Sequence, residues 1–211
     1  EHLSESDRLL RETKGGTLID AVKNVARNAN NPFEQLVATN VSKLMQRMMD
    51  MGYKFEYRIQ ELDFNDIAGG IRGRAGIRNN GAMRVSIART KDPLALSNGL
   101  THKTVLHEAI HAVTIPLISA GSRRSFPEDA KLTKDVVDLY DLTNEVVRYF
   151  KGRLKDVREG RMAKEDLLAV ERSMLRKNAL DNPDEILAWT LTDGEVQEFM
   201  DTVPYNTRTG E

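Results

Sequence analysis

The feature that most constrains the fold is an apolar segment with helical periodicity, from about Lys103 to Ala120. One flank of the predicted helix carries Leu106, Ile110, Val113 and Leu117, and the other carries Val105, Ala109 and Ala112. A helix on a protein surface has one apolar face and one charged face. Since this helix is apolar on both flanks, we expect it to be buried. The polar stripe between the flanks should then point into a cleft; it comprises Thr104, His107, His111 and Thr114.

This polar stripe contains the motif His-Glu-Ala-Ile-His. His107 and His111 are four residues apart, so a helix places them on one face, where both imidazoles can bind one tetrahedral zinc ion. Glu108 leans to the side of that face and can take a proton from a zinc-bound water. A chance match has a frequency on the order of one in a few hundred chains of this length. A buried pair of histidines is costly without a partner, and a metal ion would provide one.

A third protein ligand is expected, because a catalytic zinc ion usually has three and keeps one position for water. His2 is terminal, and His102 lies five residues before His107, so it projects from another face. No histidine follows His111 at the spacing of the extended H-E-x-x-H-x-x-G-x-x-H pattern. The third ligand is therefore predicted to be a carboxylate.

Glu185 is our choice for that carboxylate, since it lies in the first turn of an apolar helix that begins at Asn182-Pro183. Asn182 and Glu185 also have the spacing of a capping box, so Glu185 could have a capping role alone. By spacing alone, three other carboxylates remain possible third ligands: Asp184, Asp141 and Glu145.

Other periodic segments predict a mainly helical chain. Leu18 to Val25 repeat with helical period, and a long second helix has Asn31 as N-cap, Pro32 at its first position and Gly52 after its end. Its methionine-rich end is interpreted as core. Further helices are predicted after Pro127 through Phe150, at about 163–177, and from Asn182 with a break at Asp193-Gly194.

A change of period after Gly52 predicts a small sheet. Residues 53–60 alternate between apolar and polar types, as in a half-buried strand. Asn80-Gly81 is typical of a type I′ turn between strands at about 76–78 and Met83–Ala88. The Met83–Ala88 strand could pair with an extended peptide. The glycine-rich stretch lacks the Lys-Ser/Thr ending of a phosphate loop, and its arginines are interpreted as solvated; these are Arg72, Arg74, Arg78, Arg84 and Arg89.

Composition narrows the function classes. Lys and Arg total 31 against 32 Asp and Glu, a net charge of -1, so nothing attracts the chain broadly to nucleic acid or an anionic membrane. Without cysteine, a metal site must use His, Asp, Glu or water. No apolar run approaches the roughly 20 residues of a membrane span, and the start, which lacks Met, has no secretory signal pattern. We expect a soluble excised domain or processed fragment.

The segments Val105 to Ala112 and Asn182 to Glu185 together resemble gluzincin-type metallopeptidases. They are most similar to the metallopeptidase-like domains of large phage and mobile-element polyvalent proteins. The resemblance covers about residues 15–203 in outline and implies a zincin-like fold with Glu185 as the third zinc ligand. It also implies a viral origin and a longer parent polypeptide, with a location in the virion or the host cytoplasm. The long gap from His111 to Glu185 departs from the pattern.

The sequence thus predicts an α+β zincin-like domain over residues 1–203, with a helical insertion at about 128–178 and a polar tail at 204–211. The predicted function is a zinc metallopeptidase, with His107, His111 and Glu185 as metal ligands and Glu108 as general base. The expected cofactor is Zn²⁺ and the expected partner is a polypeptide substrate. The alternatives are a hydrolase acting on other substrates and a catalytically inactive zincin-like module that binds nucleic acid or a host protein.

Overall fold

The computed structural model describes residues 5–13, 15–61, 73–89, 100–122, 130–167, 171 and 182–204. These residues form seven α-helices, one 3-10 turn and a three-stranded mixed sheet, which confirms the predicted α+β class. The chain divides into two compact units, Glu1–Pro116 and Leu117–Glu211. A single domain with an insertion at about 128–178 stays a prediction, and the predicted tail lies outside the described residues except for Pro204.

The first unit begins with three helices, α1 (Glu5–Thr13), α2 (Leu18–Asn28) and α3 (Pro32–Asp50). The predicted start of α3 is confirmed, because Asn31 Oδ1 accepts the backbone N–H of Phe33 at 2.9 Å. Its predicted end is confirmed as well: Gly52 has a φ of 95°, and the N–H groups of Gly52 and Tyr53 close the last turn. Within the methionine-rich end, Met45 and Met48 are buried, whereas Met49 and Met51 are exposed.

The sheet has the order β1-β3-β2, with β1 at Phe55–Glu61, β2 at Gly73–Ile77 and β3 at Met83–Arg89. Strand β3 pairs in parallel with β1 and antiparallel with β2. Its side chains Met83, Val85 and Ile87 are buried. Because β3 is the central strand, both its edges are occupied, and the prediction that it pairs with a peptide substrate is wrong.

The turn between β2 and β3 differs by one residue from the predicted one. The N–H of Gly81 donates to the carbonyl of Arg78 at 2.8 Å, which makes Asn79 and Asn80 the central residues of the turn. Gly81 follows with a φ of 79°, and the N–H of Arg78 donates to Ala82. This is the three-residue hairpin loop that ends in a left-handed residue, rather than the two-residue type I′ turn.

One long helix, α4 (His102–Ser122), contains the boundary between the two units. Its range confirms the helix that was predicted from about Lys103 to Ala120. Pro116 lies inside the helix and has no N–H to donate to the preceding turn. The boundary between the units follows directly after this proline.

The second unit contains α5 (Ala130–Arg158), a 3-10 turn (Lys164–Asp166), α6 (Pro183–Thr192) and α7 (Gly194–Thr202). Its core is a cluster of apolar side chains, formed by Val146, Phe150, Ile186, Val196, Phe199 and Val203. The predicted break between the last two helices is confirmed, because Asp193 caps α7 through its side chain. Of the helix predicted at about 163–177, the structure describes residues 163–167, which contain the 3-10 turn, and Glu171, which is helical.

No helix among the described residues is long and apolar enough to cross a bilayer.

Candidate metal centre

Local capping and burial set the position of the helix that carries the candidate site. Thr101 precedes α4, and its Oγ1 accepts the N–H of Thr104 at 3.1 Å, which satisfies one of the first backbone donors of the helix. The predicted apolar flanks are almost fully enclosed at Val105, Leu106, Ala109, Ile110, Ala112 and Val113. Leu117, near the end of the helix, is only partly buried. In the polar stripe between them, His107 and His111 are buried with 8% and 6% exposure, whereas Thr104 and Thr114 are only partly buried. The neighbouring Glu108 is also buried, with 8% exposure.

The two imidazoles converge at one point. Nε2 of His107 and Nε2 of His111 are 3.1 Å apart, and the ring planes meet at 83° with centroids 4.7 Å apart. Zinc–nitrogen bonds of about 2.05 Å at a tetrahedral angle require a nitrogen separation of about 3.3 Å. The pair therefore has nearly the geometry that one tetrahedral ion needs, before any ion is added.

Glu185 belongs with the two histidines to a group of three side chains that could hold a metal ion. One ligand atom from each of His107, His111 and Glu185 lies within 4.8 Å of the others. Two imidazoles and a carboxylate are donors that suit zinc and other divalent ions. The residues present thus fit a metal ion, and ligation itself stays a prediction.

The three rival carboxylates do not join this group. Among the residues that the structure describes, no group able to hold a metal ion includes Asp141, Glu145 or Asp184. The role of Glu185 in helix capping concerns its backbone: its N–H donates to Asn182 Oδ1 at 2.9 Å. The cap therefore uses the main chain of Glu185, and its carboxylate is the part of the residue that lies with the imidazoles.

Glu108 lies against the first residue of strand β2. A Cβ atom placed on Gly73 would be 2.4 Å from Glu108 Cγ and 2.6 Å from Glu108 Oε1. Sequence reasoning missed this contact, although it noted the glycines of the segment. The signal was available, because glycine inside a strand often marks a close approach of another group.

The interpretation of the hairpin arginines as solvated is wrong for Arg89, which is buried, and holds for Arg74 and Arg78. Arg84 Nε donates to Glu56 Oε2 at 2.7 Å, and this bond holds the pKa of the Glu56 carboxyl below its usual value. Arg89 is buried, and its Nη2 lies 2.5 Å from Asp7 Oδ1. Arg74 and Arg78 are exposed, and Arg72 lies outside the described residues. Among the four described arginines, Arg84 and Arg89 therefore have carboxylate partners, which weakens the case for a nucleic-acid surface.

A tyrosine hydroxyl can polarise a substrate carbonyl, and Tyr149 and Tyr205 are two tyrosines in the second half of the chain. Tyr149 packs beside the core cluster of the second unit, with its ring centroid 6.0 Å from that of Phe199. Its packing agrees with a structural role. Tyr205 lies outside the described residues.

Comparison of the chain with protein-family models, with curated proteins and with solved structures finds no match. The resemblance to gluzincins therefore stays a prediction from the motif residues.

Proposed function

We propose that this chain is a zinc-dependent metallopeptidase in which His107, His111 and Glu185 hold the ion and Glu108 is the general base. The observation that carries the proposal is the convergence of two buried imidazoles and one carboxylate, with ligand atoms within 4.8 Å. A structural zinc site usually has four protein ligands, whereas the described group offers three and could keep one position for water. Glu108 follows His107 directly in the same helix as the candidate base.

The chemistry divides between the metal and the protein. A bound zinc ion would supply a Lewis acid that polarises a carbonyl and lowers the pKa of water to about 7. Glu108 accepts the proton as the water attacks the substrate carbonyl, and it later donates that proton to the leaving amine. Burial of Glu108 on a helix with enclosed flanks limits the positions that its carboxylate can take. General base catalysis by a positioned group contributes about 10²- to 10⁴-fold.

Strand β2 replaces β3 as the proposed docking edge for the substrate. Among the described strands, β2 has β3 on one side and no partner on the other. Since the N–H of Arg78 bonds to Ala82 across the hairpin, the alternation of an antiparallel ladder directs the N–H and C=O groups of Gly73, Ala75 and Ile77 to the outer side. An extended peptide paired there would pass Glu108 at the Gly73 end.

The test uses the purified chain loaded with zinc, a broad peptide library read by mass spectrometry, and Glu108→Gln as the matched control. We expect wild-type protein to cleave peptides and Glu108→Gln to lose about 10²- to 10⁴-fold in kcat while it retains zinc. Equal turnover by both proteins, or no cleavage by zinc-loaded wild type, would rule out the peptidase.

Two alternative functions make different predictions in the same experiment. A hydrolase of other amides or esters would cleave small substrates in a Glu108-dependent way and leave peptides intact. An inactive binding module would hold zinc without turnover, and if it bound nucleic acid, the affinity would fall steeply with salt. The ion pairs of Arg84 and Arg89 argue against that last case.

A further inference from the structure

Gly73 and Glu108 both belong to the first unit, and the side chain of Glu108 occupies the space next to Gly73 where another residue would have its Cβ atom. A Cβ on Gly73 would lie 2.4 Å from Cγ, 2.6 Å from Oε1 and 2.7 Å from Cδ of Glu108. Non-bonded carbon atoms have their optimal separation at about 3.5–4.0 Å, so any side chain at position 73 would occupy the space that Glu108 fills. Gly76, three residues later in the same strand, has nothing within 4 Å of such an atom.

Backbone conformation does not account for the glycine at position 73. The described glycines with positive φ are Gly15, Gly52, Gly81 and Gly160. Gly73 is not among them and pairs regularly with Ile87 of β3, so an L-residue can adopt its backbone conformation. Glycine within a strand weakens it, because it has no side chain to pack and more freedom to lose on folding. The advantage of glycine at position 73 is therefore the space that it leaves for the side chain of Glu108.

We propose that Gly73 is a positioning residue for Glu108: its missing side chain admits the glutamate against β2 and fixes where the carboxylate lies. The inference deepens the proposed function, since the carboxylate that Gly73 positions is the proposed general base. The atoms that a new Cβ would meet belong to the outer part of a flexible side chain, which can rotate away. Substitution should therefore displace the base and leave the fold intact.

The experiment compares Gly73→Ala with Gly76→Ala, a matched glycine-to-alanine change in the same strand with open space for its Cβ. The substrate is a peptide identified in the library experiment, and the protein is the full chain loaded with zinc. We expect Gly73→Ala to retain the zinc content of wild type and to lose at least about tenfold in kcat, a part of the contribution of a positioned base. Its KM should change less. Gly76→Ala should match wild type in all three quantities, because the backbone groups of Gly76 face β3 and not the outer edge of β2.

Two further measurements separate positioning from a general structural effect. In a Glu108→Asp background the acid is one methylene shorter, so we expect Gly73→Ala to lower kcat less there than in wild type. In a Glu108→Ala background the contacted Cγ, Cδ and Oε1 atoms are gone. We therefore expect Gly73→Ala to lower the melting midpoint in wild type and to leave it unchanged or raise it in Glu108→Ala, a non-additivity typical of residues in contact.

The melting cycle needs no turnover, so it tests the placement even if zinc-loaded wild type proves inactive on peptides. In that case the proposed function fails, while coupling in the melting cycle, together with a displaced Glu108 in a crystal structure of Gly73→Ala, still supports the placement. The inference is overturned if Gly73→Ala and Gly76→Ala behave alike in both backgrounds. Loss of zinc from Gly73→Ala, in step with its loss of kcat, would also overturn it.

Discussion

Zinc should stabilise the folded chain, and the size of the effect follows from linkage. An ion that binds the folded state alone adds about 2.7 kcal/mol to the free energy of unfolding at a free concentration of 100 Kd. The unfolding entropy of 211 residues is about 0.44 kcal/mol/K, at about 2.1 cal/mol/K per residue. The melting midpoint of the metal-free protein should therefore rise by about 6 °C when zinc is added to that level.

The assay is differential scanning calorimetry of protein stripped with a chelator and then titrated with zinc. A smaller cooperative unit has a smaller unfolding entropy, so if the two units melt separately, the unit that gains the stabilisation shifts by more than about 6 °C. Single substitutions of His107, His111 and Glu185 by alanine should each reduce the shift, because each removes one of the three converging ligand atoms. Asp184→Asn is the matched control, since Asp184 adjoins Glu185 and belongs to no described metal-capable group.

Two results would refute this reasoning. One is a zinc-dependent shift of equal size in wild type, His107→Ala and His111→Ala, because the ion would then bind elsewhere. The other is a wild-type midpoint that does not respond to zinc up to millimolar concentrations. Glu108→Gln should keep the full shift, since Glu108 is proposed to move a proton and not to hold the ion.

Three further predictions concern stability. Phe199 is fully buried in the core of the second unit, so Phe199→Ala should lower the free energy of unfolding by about 3–5 kcal/mol in urea titrations, and Phe199→Leu by less. Asn182→Ala should cost about 1 kcal/mol in the same assay through the lost cap to the Glu185 N–H, yet leave the zinc-dependent shift in place. Burial raises the pKa of the Tyr57 phenol, because it disfavours the ionised form in the folded state. The contribution of this group to the free energy of unfolding is therefore complete below about pH 10 and is lost as pH rises through the folded-state pKa. Stability of Tyr57→Phe, measured across that range, should therefore fall less steeply than that of wild type; equal slopes would exclude this cause.

Local signals in the sequence predicted the helix ends well. Asn31 and Pro32 start α3, and Gly52 ends it, because caps depend on residues within one turn of the helix end. The apolar flanks of α4 predicted its burial for a similar reason, since helical period alone shows that neither flank is solvated. The convergence of His107 and His111 then follows from a spacing of four residues on a regular helix.

Local sequence signals could not predict which strands pair with each other. The alternation of apolar and polar residues in 53–60 and 83–88 predicts strands. The sequence pattern of one strand does not determine which other strands pair with it. The parallel pairing of β1 with β3 and the central place of β3 depend on contacts across the intervening chain. The hairpin turn was misplaced by one residue because Asn79-Asn80 and Asn80-Gly81 are both good turn pairs, and the choice between them depends on the strand register.

Glu185 illustrates why a capping position and a metal-binding position are compatible. Spacing from Asn182 presented the two roles as alternatives, but they use different atoms: the cap engages the backbone N–H, and the carboxylate lies with the imidazoles. The cap therefore stabilises the start of α6 without using the carboxylate, which is why Asn182→Ala should lower stability and still leave the zinc-dependent shift in place.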